Sequence, residues 1–185
     1  MALMQPPVCE FGLGAIDFLL PGVDGEDWSL EKCRGDKGTV LMFICNHCPY
    51  VKAIQHLLVQ DVQKLQALGI QCVAIMSNDT ETYPDDSFEN MQQVAKQYNY
   101  PFPYLIDATQ DVARAYGAVC TPDFFGYNKD LKLQYRGRLD DTTPSNTSSN
   151  PRRDLVEAMK LIATTGKGPQ DQIASMGCSI KWKEK

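Results

Sequence analysis

The sequence predicts an α/β protein with a central mixed β-sheet flanked by helices. Two patterns carry this expectation. An apolar run, Val40 to Ile44, precedes a helical stripe of Val51, Ile54, Leu58, Val62 and Leu65, and a second apolar run, Ile70 to Met76, follows. Strand, helix and strand in that order make a parallel βαβ unit. Further on, Leu131 to Gly137 alternates apolar and polar residues after the apolar stretch Ala118 to Tyr127, which marks an antiparallel partner. With 185 residues, 43% of them hydrophobic, one sizeable core is expected, and a single domain over residues 1–185.

Taken in order, residues 1–13 read as a loose lead-in. Ile16 to Leu20, the turn Pro21 to Gly25 and Trp28 to Leu30 read as an N-terminal β-hairpin. Cys33 falls in a polar loop and is expected to be exposed. The buried strand and long helix follow, with Gly69 as the stop and Ile70 to Met76 as the next strand. Cys72 within it is expected to be core. Asp86, with Glu89 three residues on, reads as the cap of a helix over Ser87 to Tyr98, and the acidic residues before it as solvated charge. A short strand within Pro101 to Asp107 and a short helix from Thr109 to Tyr116 come next. Pro122 cannot donate to a ladder, so it belongs at a strand entry. Asn128 to Asp130 is a hairpin turn, and Asp140 to Asn150 an exposed loop rich in Thr, Ser and Asn. Arg152 to Ala163 is an amphipathic helix with Leu155, Val156, Met159 and Ile162 inward. The tail, residues 166–185, shows little regular pattern.

The chemistry concentrates between the first strand and the long helix, at Cys45-Asn46-His47-Cys48-Pro49. Pro49 suits the first helical turn, where its missing N–H costs nothing. Unpaired N–H groups and the helix dipole there favour a thiolate. If Pro49 opens the helix, Cys48 is the N-cap and the favoured thiolate; if the helix opens near Asn46, Cys45 takes that place. A C-x-x-C pair also reads as half a zinc site, but no second pair stands at ligand spacing and the chain has two histidines. Haem attachment is excluded because Pro49, and not His, follows Cys48. Two inert buried cysteines are the remaining reading. His47 is expected either as an exposed turn residue or as a tuner of thiol acidity. No metal and no cofactor is expected.

A net charge of −5 argues against a nucleic-acid or anionic-membrane partner. No run approaches membrane-spanning length, and the first residues lack the pattern of a secretory signal. A cytoplasmic location is therefore expected. Seven cysteines, an odd number without framework spacing, are then mostly free thiols.

The order of elements, with C-x-x-C at the first strand–helix turn and Thr121-Pro122 leading the hairpin, resembles the thioredoxin-like fold. Phe43-Ile-Cys-Asn-His-Cys-Pro-Tyr-Val51, Gly117-Ala-Val-Cys-Thr-Pro-Asp-Phe-Phe125 and Tyr135-Arg-Gly-Arg-Leu-Asp-Asp141 more narrowly resemble the peroxiredoxin-like redoxins of the AhpC/TSA type. The resemblance implies that Cys45 and Cys48 form a dithiol/disulfide couple with Cys45 attacking. It also implies a cis peptide bond at Thr121-Pro122, in a loop that faces the cysteines and binds substrate. In the peroxiredoxin register Cys48 is the peroxidatic position, but Cys45 stands three residues before it where that family carries Thr or Ser, so the hydroxyl that orients peroxide is missing.

The expected function is thiol–disulfide oxidoreductase. Its expected partners are a protein or small-molecule disulfide and a reducing system such as thioredoxin or glutathione. The alternatives are a thiol peroxidase with Cys48 peroxidatic and Cys45 resolving, and a non-catalytic thiol or zinc module using Cys45, Cys48 and Cys120. Cys120 and Cys178 are candidate extra thiols, each weighed against simple packing.

Overall fold

A central five-stranded sheet forms where the chain is most apolar. The computed structural model describes residues 3–7, 9–146 and 150–184. Its strands and helices, in chain order, are β1 (Leu3–Met4), β2 (Leu19–Pro21), β3 (Asp27–Ser29), β4 (Gly38–Phe43), α1 (Pro49–Ala67), β5 (Ile70–Met76), α2 (Phe88–Gln97), β6 (Tyr104–Ile106), α3 (Asp111–Ala115), β7 (Cys120–Thr121), β8 (Asp123–Asn128), β9 (Leu133–Gly137), α4 (Asp154–Thr165) and β10 (Gly177–Ser179). The main sheet has the order β6-β5-β4-β8-β9. β4, β5 and β6 run parallel, while β8 is antiparallel to both β4 and β9.

β4 is central, so both of its faces are covered and its residues are buried without exception. Val40 and Met42 pack on one side with Leu58, Val62 and Leu65 of α1 and Leu155 and Met159 of α4. Leu41 and Phe43 point to the other side, among Phe18, Leu30, Tyr116 and Phe125. This layering points the C-terminal end of β4 into the turn that carries the cysteines. α1 ends where Gly69, at φ +82, takes a left-handed backbone that other residues resist.

Several expectations need correction. The lead-in and the tail are not irregular throughout. Leu3 pairs with Cys178 and Met4 with Gly177, and β10 pairs in turn with β7, giving a three-stranded sheet of order β1-β10-β7. Strands of two or three residues have no readable period, and the partners lie far apart in the chain, β1 and β10 by more than a hundred residues. Cys33 is buried at 3% exposure, in the cluster beneath β2 and β3. Ser87, not Asp86, caps α2, its hydroxyl accepting from the Asn90 N–H at 3.3 Å. In the loop expected at 140–150, Asp140 is buried and accepts from the Thr142 N–H at 2.8 Å. Residues 147–149 lie outside the described part of the chain.

Candidate functional site

The helix boundary resolves the ambiguity at the cysteine turn. Pro49 is the first residue of α1 and Cys48 is its N-cap, with extended backbone at φ −66 and ψ 124. The Cys48 sulfur is thus held over the N–H groups of the first turn. Thr121 of β7 closes over it. The Thr121–Pro122 bond is cis, as the resemblance implied. The Thr121 carbonyl oxygen is 3.2 Å from Cys48 Sγ, and the Thr121 hydroxyl is 3.3 Å from Cys45 Sγ. Both sulfurs are shielded, at 2% exposure for Cys45 and 0% for Cys48.

The two thiols have opposite acidities. Cys48 is drawn from 9.0 down to about 5. The largest cause is the hydrogen bond from the Cys45 thiol; burial opposes it, and the Cys178 thiol and the N–H groups of Val51 and Cys178 add to it. Cys45 is pushed well above its ordinary range, first by that same bond to Cys48, then by burial and by the negative charge of Asp86. Of the two sulfurs, Cys48 is therefore the one whose thiolate is favoured.

His47 and Asp86 form a second layer beneath the turn. Asp86 is fully buried, and its Oδ1 accepts the N–H groups of Asn46 at 2.8 Å and His47 at 3.2 Å. Its Oδ2 meets His47 Nδ1 at 2.6 Å and accepts from the Asn78 amide at 2.7 Å. Burial works to raise the pKa of Asp86, yet the His47 and Asn78 hydrogen bonds hold it below the usual carboxylate range. His47 is raised in return, chiefly by its bond to Asp86, and its ring stacks on Tyr83 with centroids 5.5 Å apart. His47 is therefore oriented by a buried carboxylate rather than free in solvent. Asp86 was missed as a site residue because its sequence neighbours suit a helix cap. Only the fold brings the 40-residue separation down to one hydrogen bond.

Of the extra thiols, the fold brings Cys178 to the pair: its Sγ is 3.0 Å from Cys48 Sγ. Cys120 is also buried, with its Sγ 3.8 Å from the Pro122 carbonyl oxygen, and burial pushes its thiol up. Beside Pro122 a cavity of about 120 Å³ is lined by Tyr50, Ile54, Pro122, Leu139, Ser175 and Met176. Among the described residues, Cys45, His47 and Asp86 offer possible ligand atoms within 4.8 Å of one another. A metal there would displace hydrogen bonds that already occupy both Asp86 oxygens.

Comparison with known proteins agrees with this architecture. The AhpC/TSA family profile matches residues 11–136. An uncharacterized conserved protein from Geobacillus kaustophilus superposes with TM-score 0.95 at 46% identity, over 100% of this chain and 98% of its own. The thiol-disulfide oxidoreductase ResA of Bacillus thuringiensis is 24% identical over 124 residues, 67% of either chain. A thioredoxin-family thiol:disulfide interchange protein from Chlorobium tepidum shares the fold with TM-score 0.63 at 16% identity, over 82% of this chain and 97% of its own. A thioredoxin-like fold with its cysteine pair at the head of α1, matched by the family profile over most of its length, places this chain in the AhpC/TSA family.

Proposed function

We propose that the protein is a thiol–disulfide oxidoreductase working through a Cys45–Cys48 dithiol/disulfide couple, with Cys48 as the reactive thiolate. The observation that carries this is the N-cap position of Cys48, where the Cys45 thiol and, to a smaller extent, the Val51 N–H draw its pKa down to about 5. The Cys48 thiolate attacks one sulfur of a disulfide, forming a mixed disulfide and releasing one thiolate, which takes up a proton. Cys45 then loses its proton and attacks Cys48 Sγ. The internal disulfide closes, the second substrate thiolate leaves, and the substrate has gained two electrons. Once Cys48 is in the mixed disulfide its charge is gone, and the main reason for the raised pKa of Cys45 goes with it.

A low pKa does not by itself speed attack. Intrinsic nucleophilicity falls with pKa, with a Brønsted slope of about 0.4–0.5. Lowering a thiol from 9.0 to about 5 therefore weakens each thiolate by roughly 40- to 100-fold, while raising its population at neutral pH by about 100-fold. The gain lies elsewhere. Cys48 is a good leaving group, so disulfides to it open readily, and the dithiol is the favoured resting form. That suits a protein that waits reduced in a reducing compartment, which we propose is the cytoplasm, and is recharged by a thiol system such as thioredoxin or glutathione. His47 and Asp86 hold the turn. The Thr121-Pro122 loop and the adjoining cavity form the docking face for a protein or small-molecule disulfide.

Turnover of a disulfide substrate with a thiol reductant tests the reading. Wild type is expected to be active, and Cys45→Ser and Cys48→Ser to fall to the uncatalysed rate. Equal rates for all three would overturn it.

A further inference from the structure

We propose that Cys178 is a third redox thiol, which attacks Cys48 and gives the centre a second closed form, the Cys48–Cys178 disulfide. This rests on the reading of Cys48 as the reactive thiolate and extends it to the C-terminal strand.

The geometry is that of a built contact. Cys178 Sγ lies 3.0 Å from Cys48 Sγ, about 1 Å more than an S–S bond of about 2.05 Å. β10 is held on both sides, Cys178 pairing with Leu3 in β1 and with Thr121 in β7. The residue before it must be small. A Cβ on Gly177 would stand 2.0 Å from the Thr121 carbonyl oxygen and 2.6 Å from its carbon, both backbone atoms. Glycine there lets β10 lie against the Thr121-Pro122 loop, with Cys178 beside Cys48. The Cys178 backbone N–H also acts on the Cys48 sulfur. Simple packing does not require this. Cys33 and Cys72 are as well buried, yet neither sulfur has a hydrogen-bonding partner among the described residues.

The protonation of Cys178 is tied to the state of Cys48. Cys178 is held protonated, at about 12, by burial first and then by its hydrogen bond to Cys48 and the charge there. When Cys48 enters a disulfide, the last two causes vanish; burial still favours the thiol, now opposed by the Lys181 cation, so Cys178 ionises more easily than before. Two steps then become available. With a substrate on Cys48, the Cys178 thiolate attacks Cys48 Sγ, the bond from Cys48 to the substrate breaks, and the substrate leaves as a thiolate that takes up the proton Cys178 gave to solvent. With the Cys45–Cys48 disulfide closed, the same attack transfers Cys48 to Cys178 and frees Cys45 as a thiolate. The second step is an exchange without net oxidation, and the first takes its oxidising equivalents from the substrate disulfide.

Oxidised glutathione is the probe, with the full chain carrying Cys45→Ser alone or together with Cys178→Ser. Intact mass and peptide mapping follow Cys48. In the single variant, glutathione added to Cys48 is expected to be released as the Cys48–Cys178 disulfide forms. In the double variant the adduct is expected to persist. Equal persistence in both overturns the role of Cys178 while leaving the Cys45–Cys48 couple standing. No adduct or disulfide at Cys48 in either variant overturns the Cys48 thiolate and this proposal together.

Discussion

The split between the two acidities makes a quantitative prediction about the redox potential. Reduction of the Cys45–Cys48 disulfide adds two electrons and, for an ordinary dithiol below its pKa values, two protons. The potential of such a couple falls by about 59 mV per pH unit. Here Cys48 ionises at about 5, while Cys45 stays protonated through neutral pH. Between pH 6 and 8 only one proton accompanies the two electrons, so the slope is about 30 mV per pH unit, steepening to about 59 mV below pH 5. At pH 7 a thiolate at about 5 rather than 9.0 favours the reduced form by about 100-fold, or about 60 mV toward the oxidising side. The assay is equilibration against glutathione or dithiothreitol from pH 4 to 8, an acid quench, and counting of free thiols at Cys45 and Cys48. A slope of about 59 mV per pH unit maintained from pH 6 to 8 would refute the placement of the charge on Cys48.

Two further perturbations test the frame around the site. Arg136 lies 3.0 Å from the fully buried Asp123, donates to the Gly117 carbonyl and covers the Phe125 ring at 4.4 Å. Arg136→Leu leaves that carboxylate without its cation and is expected to cost about 3–5 kcal/mol in urea unfolding; a loss under about 1 kcal/mol would contradict the pairing. Burial already lifts Asp123 to about 6, above its unfolded value, so its contribution to stability is full below about 3.9 and is lost as pH rises through about 6. The variant should carry that loss on to higher pH, and adding Asp123→Asn should remove it. Asp86→Ala strips acceptors from the Asn46 and His47 N–H groups and the Asn78 amide, at about 1–3 kcal/mol for each group left unpaired. Asp86 is depressed, so its stabilisation is present above its unfolded value and lost as pH falls through the folded one. The variant should therefore flatten the acid limb of the stability curve. His47 is raised, so its contribution is full below about 6.5 and lost above. In Asp86→Ala its NMR titration should fall back toward that ordinary value, and an unmoved titration would break the link.

Much of the fold was legible because its strongest signals are local. An apolar run on both faces of a central strand, a stripe at helical spacing and a glycine stop need no knowledge of the rest of the chain. β5 spans Ile70–Met76 as the run of apolar residues indicated, and α4 buries Leu155, Val156, Met159 and Ile162 as the spacing required. The position of the cysteine turn was legible for the same reason, since Cys-x-x-Cys-Pro after a strand places sulfur at a helix head by short-range geometry alone. The resemblance also led to the cis bond at Thr121-Pro122.

The features that were not legible depend on contacts across long stretches of chain. Whether Cys45 or Cys48 holds the charge turned on the first residue of α1 and on which donors surround each sulfur, including one on a strand 130 residues away. Asp86 looked like a cap because its immediate neighbours suit one, and became the anchor of the cysteine turn only when β5 and the loop after it were laid beside β4. Cys178 and Leu3 sit in strands too short to show a period, and their alignment comes from Gly177 fitting against the Thr121 backbone. Periodicity and turn chemistry record what a residue does with its near neighbours. Burial, charge sharing and sulfur contacts are set by whichever distant segment fills the remaining space, and that follows from packing the whole chain.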